Sequence, residues 1–163
     1  MNKTVKTLYL MSGVPASGKS TYARKLAASN GAVYISRDEI RFAILKDNED
    51  YFSHEDEVFD LFIMNIQKTL DSGNDCIADA THLNIKSRLK TLNRLDLNDV
   101  RIVLIMMDTP IYECLVRNSK RAGLTMVPQR VLLNMGKVYK APIGEELNHY
   151  AQILHIRKDD YDV

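Results

Sequence analysis

The sequence predicts an α/β fold, a parallel sheet of four to five strands with helices on both faces. Three observations carry that prediction. Short β-prone apolar runs alternate along the chain with longer segments of helical periodicity. The first run, Thr7 to Met11, leads straight into Gly13-Val14-Pro15-Ala16-Ser17-Gly18-Lys19-Ser20, a complete G-x-x-x-x-G-K-S loop that requires a strand before it and a helix after it. Successive strand candidates are separated by enough chain for a helix, so the crossovers are right-handed and the functional edge lies at the strands' carboxyl ends.

Each element has its own signal. After the loop, Ser20 to Asn30 carries Ala23, Leu26 and Ala27 at helical spacing and stops at Gly31. Ala32 to Ser36 reads as the second strand, and Ser36 followed three residues on by Glu39 is a capping-box signature opening a short helix. A longer helix follows, with Ser53 and Asp56 as caps, Val58, Leu61, Phe62, Ile66 and Leu70 as its buried stripe, and Gly73 at its end. Cys76 to Asp79 is the third strand. Asn84 caps a helix that turns Ile85, Leu89, Leu92 and Leu95 inward, and Ile102 to Met107 is a strongly apolar fourth strand. Thr109 and Pro110 start the next helix, Gly123 to Val127 reads as a short mobile loop, and a further helix runs from Pro128 to about Tyr139. Ala151 to Ile156 fits a fifth strand, with a helix from Glu145 as the alternative, and Lys158 to Val163 reads as frayed.

Composition sets the bounds. A chain of 163 residues with 45% hydrophobic content is read as one domain with ample core. A net charge of +1 gives no global field to hold a polyanion, so any nucleic-acid contact must come from a local basic patch. Cys76 and Cys114 imply no disulfide framework and read as buried thiols of a reducing cytoplasm, and the methionines read as core. No signal peptide is read at the start, and no segment approaches the roughly 20 apolar residues of a membrane span. The expectation is a soluble cytoplasmic protein without a membrane partner, its oligomeric state open.

The loop names a ligand. Gly13 and Gly18 let consecutive amides point inward at phosphate oxygens, with Ala16, Ser17 and Thr21 completing the cradle and the following helix adding its positive dipole end. Lys19 is placed to reach the β- and γ-phosphates, and the Ser20 hydroxyl to ligate magnesium. The expected cofactors are therefore ATP, or another nucleoside triphosphate, and Mg²⁺. Asp38 and Arg41 lie three apart on one helical face. Arg117 and Arg121, four apart, share a face just before the loop at Gly123, as lid arginines do. Lys86, Lys90 and Arg94 form a stripe that reads first as a solvated face and second as a track for a nucleic-acid backbone. The four histidines show no metal-ligand spacing.

These segments together resemble the 5′-kinase domain of bacteriophage-type polynucleotide kinases, within the P-loop kinase superfamily. The likeness runs from about Leu8 to Tyr139 and rests on Gly13 to Thr21, Arg37 to Arg41, Asp79 to Asn84, Arg117 to Arg121, and Val127 with Pro128. It implies a P-loop kinase fold occupying residues 1–163, with a core of about 4–110 and 141–157 and a helical lid of about 111–140. It implies Asp38 as general base toward a 5′-hydroxyl, Arg41 on the acceptor's neighbouring phosphate, and Arg121 ahead of Arg117 on the transferring phosphoryl group. Two carboxylates end apolar strands, Asp79 and Asp108. Kinases of this class place the third strand beside the loop strand, which favours Asp79 for magnesium or acceptor and leaves Asp108 as helix-start structure. Thr81 and His82 join the acceptor set, although the family usually carries Asn where this chain has His82.

The implied activity is transfer of the γ-phosphate of ATP to the 5′-hydroxyl end of DNA or RNA, in nucleic-acid end healing. Alternatives are a small-molecule or nucleoside kinase and a non-catalytic nucleotide switch, the last disfavoured because no Asn-Lys-x-Asp motif is present. No 3′-phosphatase activity is expected, since Ile77 stands where an Asp-x-Asp-x-Thr motif would need its nucleophile.

Overall fold

The computed structural model describes residues 5–157. Strands β1 (Lys6–Ser12), β2 (Val33–Ser36), β3 (Cys76–Asp79), β4 (Val100–Met107) and β5 (Gln152–Ile156) pair in parallel in the order β2-β3-β1-β4-β5. Helices α1 (Lys19–Asn30), α2 (Arg37–Ile44), α3 (Glu55–Asp71), α4 (Ile85–Leu92), α5 (Ile111–Ser119) and α6 (Gln129–Val138) surround it. This is the P-loop kinase fold. The frayed end expected over Lys158–Val163 lies outside the described residues.

The central strand explains the two covered faces. Leu8 and Leu10 of β1 point to one side, into a core with Phe62, Ile66 and Leu70 of α3 and Leu92 of α4. Tyr9 and Met11 point to the other, where Ala23 and Leu26 of α1 pack with Ile77 and Val103. A strand buried on both faces must be apolar at successive positions, which is why its sequence does not alternate. A third cluster joins Val14 and Ala16 of the phosphate loop to Cys114 of α5 and Leu132 of α6. The loop therefore rests on the segment expected to form a lid.

Several local expectations are corrected. Helix α3 begins at Glu55 with His54 at its cap position and no side-chain cap, while the Ser53 hydroxyl donates to the Asp50 carbonyl at 2.7 Å. Glu55, Asp56 and Glu57 instead place carboxylates against the dipole's positive end. Ser36 does cap α2, accepting from the Glu39 amide at 3.1 Å, but the Glu39 carboxylate reaches Arg24 at 2.8 Å rather than folding back. Asn84 and Ser87 form the full reciprocal box at α4.

Leu89 and Leu92 of α4, and Leu95 just beyond it, pack into the core as expected, but Arg88 and Thr91 are buried beside them and Ile85 is 48% exposed. Arg88 turns inward because Glu146 meets it inside the protein, at 2.7 and 3.0 Å, with both side chains fully buried. Glu146 comes from a short 3₁₀ turn, Gly144–His149, so the helix-or-strand alternative for the tail resolves as a turn followed by β5. Met11, Met106 and Met107 are core, but Met64 and Met126 are exposed. No helix among the described residues is long and apolar enough to cross a membrane.

Candidate active site

The phosphate loop is shaped by three backbone positions. Gly18 has φ 90° and Ala16 φ 65°, both left-handed, so the loop stores strain at a non-glycine residue. Gly13 is required for a different reason: a Cβ there would lie 2.9 Å from Ser17 Oγ and 3.0 Å from the Met107 side chain. The loop is fastened from outside. The Gly13 amide donates to the Thr81 carbonyl at 2.9 Å, and the Thr109 hydroxyl donates to the Ser17 carbonyl at 2.6 Å. Tyr139 donates to the carbonyls of Ser12 and Met107 at 3.1 and 2.8 Å, tying the ends of β1 and β4 together. Helix α1 has no side-chain cap, which leaves its first amides to a ligand.

Asp79 organises the mouth of this loop. Its carboxylate is buried and receives Lys19 Nζ at 2.6 Å, the Ser20 hydroxyl at 2.8 Å and the Tyr34 hydroxyl. Burial pushes the Asp79 carboxyl up, but the Lys19 ammonium and the hydrogen bonds from Lys19, Tyr34 and Ser20 carry it below the ordinary carboxylate range. Strand adjacency alone would not have chosen it over Asp108, because β1 pairs with both β3 and β4. Contacts decide: Asp108 continues the sheet through its amide to the Ile156 carbonyl and pairs with His155 at 3.0 Å.

Asp38 and Arg41 stand at the same edge. Ser36 is in register with Asp79, so the first turn of α2 starts level with the loop's carboxylate. Arg41 is buried and almost fully engaged. Its Nε and Nη2 donate to Glu55 at 2.7 and 3.0 Å, and its Nη1 donates to Asp38 and, at 2.6 Å, to the Tyr51 hydroxyl. Burial pushes Glu55 up, but Arg41 first and then Arg37 bring it below its ordinary value. The Asp38 side chain remains 58% exposed and accepts from the Tyr51 hydroxyl at 2.6 Å.

His82 departs from the expected acceptor set. Its ring is buried, with Nδ1 at 2.8 Å from the Met11 carbonyl and Nε2 at 2.9 Å from the Thr91 hydroxyl. A carbonyl only accepts, so Nδ1 carries the proton and Nε2 receives one from Thr91. Burial lowers the ring to about 4, which keeps it neutral. Its φ of 40° and its carbonyl, which accepts from Ser12 at 2.7 Å and Arg88 at 3.2 Å, mark a structural corner. Thr81 lies half-buried beside it and contributes its carbonyl to Gly13.

The two lid arginines separate. Arg117 Nη1 reaches the Ala16 carbonyl of the phosphate loop at 3.5 Å, whereas Arg121 is exposed and donates to the Thr125 carbonyl at 3.3 Å. The loop read as mobile, Gly123 to Val127, contains a 3₁₀ turn and is closed at its base by buried Asn118, which bonds the Val127 amide and carbonyl at 2.9 and 2.6 Å. The basic stripe is partly packed: Lys90 and Arg94 lie 4.5 and 5.4 Å over the Phe59 ring, and Arg94 pairs with Asp60 at 3.1 Å. Sequence reasoning missed Tyr34, Glu55, Tyr51, Thr109 and Tyr139. None sits in a motif, and only their packing partners reveal them.

The donor set suits a magnesium nucleotide. Ser20 and Asp79 offer hard oxygens side by side, and the buried Ser17 hydroxyl has no partner. Among the described residues no cluster of three or more His, Cys, Asp or Glu could hold a metal by itself, so a magnesium ion held here would take its remaining ligands from phosphate and water.

A parallel sheet with the loop strand at its centre, a G-x-x-x-x-G-K-S turn and a carboxylate on its Lys and Ser define a nucleotide-binding domain of P-loop kinase type. Residues 8–142 match the family described as AAA domain, and the chain belongs to that family. Among solved structures it is similar to a chain of the Pnkp1/Rnl/Hen1 RNA repair complex, at TM-score 0.73 and 22% identity over 85% of this chain. It spans 45% of that chain's length. It is also similar to a sugar kinase from Janibacter sp. HTCC2649, at TM-score 0.66 and 17% identity over 94% of this chain and 86% of that one. Kti12 of Chaetomium thermophilum, solved with ADP-AlF3, aligns at TM-score 0.68 and 16% identity over 95% and 91% of the two chains. At these identities the likenesses establish the fold.

Proposed function

We propose that this protein is a polynucleotide 5′-hydroxyl kinase of the phage-type family, transferring the γ-phosphate of ATP to a DNA or RNA end. The observation that carries the reading is an exposed carboxylate, Asp38, at the same sheet edge as Lys19 and Ser20, with Arg41 fixed beside it. Bound magnesium nucleotide would supply the phosphoryl group and charge neutralisation, held by the loop amides of residues 16–21, Lys19, Ser20 and Asp79. Asp38 orients the acceptor hydroxyl and takes its proton late, as a loose transition state requires. Arg117, already against the loop, and Arg121, which lies just past the end of α5 rather than on the helical face expected for it, stabilise developing charge when residues 111–140 act as a lid. The similarity to an RNA repair complex supports a nucleic-acid acceptor.

A second reading, a kinase for a small neutral alcohol, has its own observation. Arg41 spends its donors on Glu55, Asp38 and Tyr51, and the segment carrying Tyr51 and Glu55 also holds Asp47, Glu49, Asp50, Asp56 and Glu57. Labelled γ-phosphate transfer to matched 5′-hydroxyl DNA, RNA, free nucleosides and sugars tests the two. Oligonucleotides at least tenfold ahead in kcat/KM are expected; transfer confined to free nucleosides or sugars would overturn the polynucleotide reading.

A further inference from the structure

Three aromatic rings meet where the core has no use for them. Phe52 is 62% and Phe42 37% exposed, and both lie edge-on to Tyr51, at centroid distances of 4.7 and 6.1 Å and interplanar angles of 82° and 69°. Single exposed apolar side chains are ordinary on a surface, but a contiguous aromatic group beside a polar site marks a binding face. This group is attached to the site itself. The Tyr51 hydroxyl donates to Asp38 at 2.6 Å, and the Arg41 guanidinium lies 4.1 Å over the Tyr51 ring, which fixes its orientation. Tyr51 thus spans the interval from the candidate base to the exposed Phe52 ring.

The chemistry around the rings narrows the ligand. Along the chain Asp47, Glu49 and Asp50 precede Tyr51 and Phe52, and Asp56 and Glu57 follow them, so even with Lys46 and His54 counted the segment is acidic and a run of phosphates lying across it would be repelled. A neutral planar ring meets no such penalty, and aromatic side chains stack on any nucleobase because each has a π-face. In a strand with a free 5′-hydroxyl, the terminal base stands one sugar away from the accepting oxygen and carries no phosphate on its outer side. We infer that the exposed Phe52 ring, braced edge-on by Tyr51 and with Phe42 as a second exposed ring beside it, offers a stacking face for the nucleobase of the terminal nucleotide whose 5′-hydroxyl faces Asp38. This rests on the polynucleotide reading and adds where the first base goes; the strand's phosphates leave the site away from the acidic segment.

The test compares two 5′-hydroxyl oligonucleotides identical except that one carries an abasic residue at its 5′ end. The wild type should favour the base-terminated strand by about tenfold in kcat/KM, the size of one stacked base. The Phe42→Leu, Phe52→Leu variant keeps apolar bulk but loses the π-faces, and should bring that ratio close to one, while Phe52→Trp should preserve it. A wild-type ratio of one, or a ratio unchanged in the double Leu variant, overturns the stacking face and leaves the kinase reading standing. Transfer to neither strand overturns both.

Discussion

The two halves of the site are built on opposite physical terms. On the nucleotide side, Asp79 is 2% exposed, with Lys19, Ser20 and Tyr34 on its oxygens and a carboxyl held below its ordinary range. On the side proposed for the acceptor, Asp38 is more than half exposed and leans on Arg41 and Tyr51. A buried carboxylate that keeps its charge must be surrounded by donors, which makes it part of the fold. An exposed one can change partners at little cost to stability. The nucleotide grip is therefore prefolded, while on the proposed acceptor side Asp38 stays open to a substrate beside an Arg41 that Glu55 and Tyr51 already hold.

Substitution at the exposed carboxylate should have the largest effect. Asp38→Asn is expected to reduce phosphotransfer by about 10²–10⁴-fold, the range of a lost general base, with the thermal midpoint within a degree or two of wild type. A kinetic assay paired with calorimetry checks both halves; a large fall in midpoint would erase the distinction drawn between the two carboxylates. Asp79→Ala should behave in the opposite way. It strands the Lys19 ammonium, costs about 3–5 kcal/mol and lowers the midpoint on the order of 10 °C even without nucleotide. Glu146→Gln, which breaks the other buried pair, should cost about 3 kcal/mol. Arg88→Met combined with Glu146→Leu should recover most of that loss, because the stranded charge is gone; urea midpoints for wild type, Glu146→Gln and the double variant measure the recovery.

The pH dependence sharpens the same contrast. Folded His82 titrates near 4 because burial opposes its charge, whereas the unfolded chain takes up that proton near 6.5. Stability is therefore lost as pH falls from about 6.5 to about 4, by about 3 kcal/mol in total. Asp79, Glu55 and Glu146 have depressed carboxyls, so their contributions are present above the unfolded value and disappear only below about pH 4. His82→Asn should flatten the upper window in urea titrations and leave the lower one, and Asn tolerates the left-handed backbone at that position. The smallest effect is expected at Ile85: exposed on α4, its change to Ser should shift stability by less than about 0.5 kcal/mol.

Local signals were legible wherever one residue type is forced by one backbone requirement. The G-x-x-x-x-G-K-S turn, Gly31 at the end of α1, Asn84 at the start of α4 and the four residues of β3 all fall where the sequence puts them. Helix faces were less secure, because periodicity assumes that what turns inward is apolar. That assumption held for Leu89 and Leu92 of α4 but missed Arg88, which turns in beside them toward a partner 58 residues away.

The site divides along the same line. The order of residues alone determined the phosphate loop and placed Lys19 and Ser20 side by side at the start of α1, since these depend on neighbours along the chain, and the alternation of strand and helix signals determined the parallel fold. The family resemblance already favoured Asp79 over Asp108, but only the tertiary structure decided that its carboxylate holds both Lys19 and Ser20, that His82 is an internal corner, and that Arg41 is clamped by Glu55 and Tyr51. Those outcomes turn on burial and on hydrogen-bond partners distant in sequence, quantities that exist only once the chain has closed on itself.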